Sequence, residues 1–232
     1  MGEYKRKFEF SADELSSQGI MRADRLLYHF QEIASGHVAS EGFGIEDIKK
    51  DNCIWVLSKL KYRLYESLST DEEYVISTCQ RKKRAVTYFR DYFIYGEDGR
   101  VVLEGTSQWC VLNFVTRKVE KVDFGVENVD HNSEYINEGF PKIRIDEVSP
   151  AGTHVVEEFD LDGNMHTNNC RYAEFVGDIT GDCYYRDFVI YFNKETMRGD
   201  EILFYSEKKE EITIAEGRLE DYTMVFQAKM KA

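Results

Sequence analysis

The chain has 232 residues, 43 acidic against 30 basic side chains and a net charge of −13. That balance excludes a protein that neutralises nucleic-acid phosphates over its surface, and 42% hydrophobic content excludes a disordered chain. With 15 Tyr, 15 Phe and only 2 Pro, the composition favours extensive sheet with few breaks.

In chain order, Phe8–Phe10 reads as a short strand, and a polar turn runs through Gly19. A helix is predicted from about Arg22, because Leu26, Leu27, Phe30, Ile33, Ala34 and Val38 recur at intervals of three and four before Gly42 and Gly44. Strands follow at Ile54–Leu64, Tyr74–Gln80, Val86–Tyr95 and Val101–Phe114, with a hairpin turn at Gly96-Glu97-Asp98-Gly99, and a short one at Lys118–Val122. The segment 126–150 is polar, acidic and holds both prolines, so it reads as a linker between a unit over 1–125 and a second over 151–232. The second unit repeats the order of the first: a strand at His154–Asp160, a polar turn, a helix from Asn169, then strands at Asp187–Phe192, Glu201–Lys208, Glu211–Leu219 and Tyr222–Met230. Gly19, Met21 and Tyr28 match Gly163, Met165 and Tyr172 at a constant offset of 144, which suggests duplication. The expected fold class is α+β, each unit a curved antiparallel sheet wrapped around one helix.

Asp160–Tyr172 concentrates the reactive side chains. In extended backbone Asp162, Asn164 and His166 project to one side, and Asn168 and Asn169 are both candidate N-caps of the helix that follows. A carboxylate, an amide and an imidazole thus meet the positive end of a helix, where an anion is stabilised. A polar, Asx-rich capping turn is the competing reading. At the offset of 144 the first unit has Ile20, Arg22, Asp24 and Arg25 where the second has Asn164, His166, Asn168 and Asn169, so the polar set survives in one copy only.

The five cysteines form no C-x-x-C pair, which fits reduced thiols and a cytoplasmic location. No metal-ligand spacing occurs among the histidines and cysteines, no apolar run is long enough for a membrane span, and no signal or transit segment is visible; neither a metal nor a cofactor is expected. Basic residues are dense only at Arg81, Lys82, Lys83 and Arg84, with Lys49 and Lys50 a shorter pair, and a solvated loop is the plain reading of each.

Over nearly its whole length the chain resembles the acyl-acyl-carrier-protein thioesterases. The resemblance runs through Leu27-Tyr28-His29-Phe30-Gln31-Glu32-Ile33-Ala34, Asn52-Cys53-Ile54-Trp55-Val56 and Ser107-Gln108-Trp109-Cys110-Val111-Leu112-Asn113, and above all Asp160-Leu161-Asp162-Gly163-Asn164-Met165-His166-Thr167-Asn168-Asn169. It implies two tandem hotdog units and hydrolysis of fatty acyl-carrier thioesters, with an acyl-coenzyme A thioesterase or a non-catalytic acyl-binding protein as alternatives. The family's catalytic positions fall on Asp162, Asn164, His166 and a strand glutamate, Glu195; plant members have cysteine where this chain has Thr196. Met21, Leu26, Phe30 and Trp55 are the implied acyl-lining residues, with the pocket in the first unit, and Asn168 and Asn169 are further substrate-binding candidates. The implied partner is an acyl carrier protein bearing a phosphopantetheine-linked chain, docking at Arg81–Arg84 or at Lys49 and Lys50, with homodimerisation compatible.

Overall fold

A computed structural model describes residues 2–123, 133–145 and 149–231. In chain order these form β1 (Tyr4–Phe8), a 3₁₀ turn (Ala12–Glu14), α1 (Ala23–Ser40), α2 (Ile45–Lys49), β2 (Cys53–Leu64), β3 (Tyr74–Arg84), β4 (Thr87–Tyr95), β5 (Val101–Asn113), β6 (Lys118–Glu120) and α3 (Glu134–Asn137). There follow β7 (Ser149–Val155), a second 3₁₀ turn (Glu158–Asp160), α4 (Asn169–Thr180), β8 (Asp187–Phe192), β9 (Glu201–Lys209), β10 (Ile212–Arg218) and β11 (Met224–Lys231). The chain divides into two compact units, Met1–Ala12 with His29–Gly139, and Asp13–Tyr28 with Phe140–Ala232. Neither unit is a continuous stretch of chain.

In the first unit the antiparallel strand order is β1-β3-β4-β5-β2, with β6 on β5. The predicted helix face is the buried face of α1: within this unit Phe30, Ile33, Ala34 and Val38 are all buried. Phe30 stacks on Tyr92 at 4.3 Å between ring centroids, and Gly105 makes room for it, since a Cβ there would lie 3.1 Å from the Phe30 ring. The helix stops where Gly42, at φ +78°, reverses the chain and Phe43 N–H bonds back to the Val38 carbonyl. The first strand lies earlier than expected, over Tyr4–Phe8, because it pairs β3 from Tyr4↔Thr78 to Phe8↔Tyr74 while Lys5, Arg6 and Lys7 stay in solvent. The helix α2, over Ile45–Lys49, has no counterpart among the predicted elements; it is one turn long and buries only Ile48.

Polar groups are also buried here. The Arg90 guanidinium donates to His37 Nδ1 at 2.9 Å and to Thr78 Oγ1 at 3.2 Å, and the Tyr4 ring stacks on His37. Burial, then the neighbouring Arg90 charge, hold His37 down to about 4 from an ordinary 6.5. The imidazole is therefore neutral when folded, and the unfolded chain binds the extra proton between those two values. Stability is fully present above pH 6.5 and is lost as pH falls toward 4, by about 3 kcal/mol in all. Urea unfolding at pH 7 and pH 4.5 checks this: His37→Gln, which keeps an acceptor but cannot titrate, is expected to show a correspondingly smaller loss.

In the second unit the order is β8-β11-β10-β9-β7. The α4 face carrying Tyr172, Ala173, Phe175 and Val176 is buried, with Tyr172 against Phe226 and Phe175 against Phe204. The predicted strand His154–Asp160 is instead the end of β7 plus the second 3₁₀ turn. The backbone leaves the sheet because the Asp160 carboxylate accepts the Glu157 N–H at 2.8 Å and closes a turn. Of the predicted linker, residues 126–132 and 146–148 lie outside the described residues. Its described part includes α3, whose Tyr135 and Ile136 are buried against Phe93, and Ile143, buried against Val189 and Tyr191.

Candidate active site

The site is built on two short loops of the second unit. One is the turn between the second 3₁₀ element and α4. The Asp162 Oδ1 accepts the N–H groups of Asn164 at 2.8 Å and His166 at 3.2 Å, and the ends of the turn are tied by the Asp162 N–H to the His166 carbonyl at 2.7 Å. Asp162 thus shapes the turn as an Asx motif. Asn164 is exposed, and Met165 takes the left-handed conformation at φ +64°.

The helix then starts with Asn168 as N-cap, its side-chain oxygen accepting the Cys170 N–H at 2.9 Å. Asn169, the other candidate cap, is instead the first helical residue. The helix N-terminus offers partial positive charge three residues from His166.

The second loop joins β8 to β9 and supplies Glu195, which lies on that loop and not on a strand as expected, since β8 ends at Phe192. Its Oε2 is 3.4 Å from His166 Nδ1, with the two side chains 32% and 25% exposed. The contact is a loose polar one open to solvent, and it sets an imidazole beside a carboxylate that can take up a water proton. The loops are held together from behind: the Thr167 N–H donates to the Thr196 carbonyl at 2.8 Å, and buried Thr196 meets the Thr167 and Tyr172 hydroxyls.

The turn has a structural twin at the start of α1. There the Ser16 Oγ accepts the N–H groups of Gln18 and Ile20, the Ser16 N–H bonds to the Ile20 carbonyl at 2.8 Å, and Gly19 is left-handed at φ +71°. Bridges pair Leu15 with Met21 and Leu161 with Thr167. Arg25 Nε reaches buried Glu14 as Arg171 Nε reaches buried Asp160, at 2.7 and 2.8 Å. Every one of these pairs is offset by 146, the separation of Ser16 and Asp162, and not by 144. The three identities at 144 are accidental, because the left-handed place of the second turn belongs to Met165 rather than to Gly163. In the true register Ile20 stands where His166 does, and Ser16 where Asp162 does.

The other named residues lie elsewhere. Met21 and Leu26 are buried in the second unit. Phe30 is buried in the first, and Trp55 is half-buried against Tyr88 beside Phe43 and Ile48. Strand alternation splits the basic run: Arg81 is held by buried Asp91 at 2.8 Å and Lys83 by the Val122 carbonyl, while Lys82 and Arg84 are exposed. Lys49 and Lys50 pair within their own helical turn, with Glu46 and Asp47.

All five cysteines are free thiols. Burial pushes Cys53, Cys79, Cys110 and Cys183 up, Cys79 to about 12, away from thiolate character. Among the described residues no cluster of three or more His, Cys, Asp or Glu is arranged to hold a metal ion, and no helix is long and apolar enough to cross a membrane.

Comparison with known proteins fits this geometry. The family model for the acyl-ACP thioesterase N-terminal domain matches residues 2–127, and that for the acyl-ACP thioesterase C-terminal domain matches 145–227. The chain is 26% identical over 194 residues to a chloroplastic palmitoyl-acyl carrier protein thioesterase of Gossypium hirsutum, covering 74% of this chain and 44% of the relative. It is 26% identical over 199 residues to the chloroplastic oleoyl-acyl carrier protein thioesterase 1 of Arabidopsis thaliana, covering 75% and 53%. The chain spans about half the length of these curated relatives. Among solved structures, an acyl-ACP thioesterase from Bacteroides thetaiotaomicron superposes with a TM-score of 0.80 at 23% identity, covering 99% of this chain and 97% of that one. A 12:0-ACP thioesterase from Umbellularia californica does so with 0.84 at 16%, covering 99% and 96%. At these identities the superpositions establish the fold, that of hotdog units. With both family models matched along most of its length, the chain belongs to the acyl-ACP thioesterase family.

Proposed function

We propose that this protein hydrolyses the thioester of fatty acyl-acyl carrier protein, releasing a free fatty acid and the carrier's phosphopantetheine thiol. The observation that carries the reading is the His166–Glu195 contact, made by residues of two separate loops in one copy of a duplicated turn whose twin has Ile20 in place of the histidine. Glu195 takes a proton from water as the oxygen attacks the carbonyl carbon. The oxyanion that forms is stabilised by the N-terminus of α4 and the Asn164 amide. The carbon–sulfur bond then breaks, and the departing thiolate receives a proton relayed through His166. Of the two candidate bases Glu195 is favoured, because one Asp162 oxygen is already engaged by two backbone N–H groups of its own turn. A thiol nucleophile has no support at the position after Glu195, since Thr196 occupies it and is buried.

Purified protein incubated with carrier-bound and coenzyme-A-bound acyl groups of several lengths tests the reading through release of free thiol. Release from the carrier-bound substrate is expected. Silence with both would favour a binding protein, and release from coenzyme A alone an acyl-coenzyme A thioesterase.

Within the first unit, Phe30 and Trp55 are assigned as candidate acyl-lining residues. Carrier docking is assigned to the basic run, where the exposed Lys82 and Arg84 are available to an acidic partner. The double charge reversal Lys82→Glu with Arg84→Glu is expected to raise KM for carrier-bound substrate by about tenfold and to leave a short soluble thioester unaffected. Equal effects on both substrates in steady-state kinetics would place docking elsewhere.

A further inference from the structure

Directly behind the His166–Glu195 pair lies a second pair, one residue along each loop. Thr167 and Thr196 turn inward where His166 and Glu195 turn outward, and both are buried. Their hydroxyl oxygens are 2.7 Å apart, the Thr196 Oγ1 is 2.9 Å from the Tyr172 hydroxyl, and the Thr167 Oγ1 is 3.2 Å from the Thr196 carbonyl. One arrangement gives every hydroxyl proton an acceptor: Tyr172 donates to Thr196, Thr196 to Thr167, and Thr167 to the Thr196 carbonyl. Tyr172 belongs to α4, so the chain of hydroxyls ties the β8–β9 loop both to the turn and to the helix behind it.

This kind of turn and helix start can be built without the Thr167 and Tyr172 hydroxyls. In the register set by the twin turn, Thr167 and Tyr172 correspond to Met21 and Leu26, both fully buried and both apolar. The same turn and helix start are therefore built with a methionine and a leucine at these places. The copy with hydroxyls is the one against which the loop bearing Glu195 is packed.

We infer that Thr167, Tyr172 and Thr196 are positioning residues that fix Glu195 against His166, with Thr196 the central member. The inference rests on the thioesterase reading for its kinetic consequence, and on geometry alone for its structural one. A polar group held by a rigid neighbour keeps its reactive geometry, and small displacements of such a group cost large factors in turnover.

The test is a set of Thr196 variants in the full chain, assayed with carrier-bound substrate. Thr196→Val, which keeps the shape and removes the hydroxyl, is expected to lower kcat by about 10- to 100-fold with KM within roughly twofold. Thr196→Ser is expected to recover kcat to within roughly threefold of the parent. In a Glu195→Gln background Thr196→Val should cost little more, because the group it positions is already gone. Equal impairment by Val and Ser, or an undiminished loss in the Gln background, would overturn the inference. Should Thr196→Val fail to fold, Tyr172→Phe removes one hydroxyl of the chain and enters the same cycle. If the parent protein releases no thiol, the thioesterase reading falls separately, and the ring nitrogen resonances of His166 decide: they are expected to move in Thr196→Val and to stay in Thr196→Ser. Unmoved resonances in both would overturn the clamp.

Discussion

Glu195→Gln is expected to lower kcat for acyl-carrier hydrolysis by about two to four orders of magnitude, with KM little changed. The amide is nearly the same size as the carboxylate and accepts the same neighbours, but it cannot take a proton from water. His166→Ala is expected to fall in the same range, and the double variant should be scarcely worse than either alone, because the two act as one unit. Asp162→Asn separates the roles of the two carboxylates. Its side-chain oxygen can still accept the Asn164 and His166 N–H groups that close the turn, so a mild loss is expected if Asp162 shapes the turn and Glu195 is the base. Steady-state rates of thiol release measure all four. Near-full hydrolysis by both Glu195→Gln and Asp162→Asn would refute a carboxylate mechanism.

The largest stability effect is expected beneath the turn, at Asp160. This side chain is fully buried and accepts from Arg171 at 2.8 Å, from His154 at 2.7 Å and from the Glu157 N–H. Asp160→Ala leaves those donors facing a space without an acceptor and is expected to cost about 3 kcal/mol in urea unfolding. Burial alone would push the Asp160 carboxyl up, but the Glu157 N–H, His154 and Arg171 outweigh it and hold the group below its ordinary value. A depressed carboxylate stabilises the fold at pH values above about 4, where it is charged in both states, and the stabilisation disappears as pH falls through the folded value. The parent is therefore expected to lose stability on acidification below pH 4 more steeply than Asp160→Ala. Glu14→Ala in the twin turn is a matched control. Glu14 is buried too, but its partner Arg25 is 46% exposed and can regain water, so a smaller loss is expected.

The twin turns also show where reading residues in a line goes astray. Matching glycine to glycine assumes that glycine marks the left-handed place of the turn. Gly19 does, but in the second turn Met165 holds that conformation, and the hydrogen bonds set the register at 146. Similarly, Asp160 reads as the last residue of an apolar-polar strand, and only its carboxylate folding back on the Glu157 N–H shows that the strand has already ended. The helices were plainer. Leu27, Phe30, Ile33 and Val38 of α1, and Tyr172, Phe175 and Val176 of α4, repeat at helical spacing and are the residues that are buried. The basic run was visible as four adjacent charges, yet the alternation of β3 turns Arg81 toward Asp91 and leaves Lys82 and Arg84 to solvent.

By itself, the sequence determined the α+β class, the order of the two long helices and most of the strands, and the segment Asp160–Asn169 as the place to look, because hydrophobic period and capping residues act over a few positions of chain. Only the tertiary structure decided which groups meet. The family resemblance names Glu195 together with His166, but no local pattern does: the two meet because the chain leaves α4, runs through β8 and returns, and that closure across some thirty residues has no period to betray it. The hydroxyl chain through Thr196 has no sequence signal at all, since a threonine beside a glutamate shows its direction only once the opposite loop is packed against it.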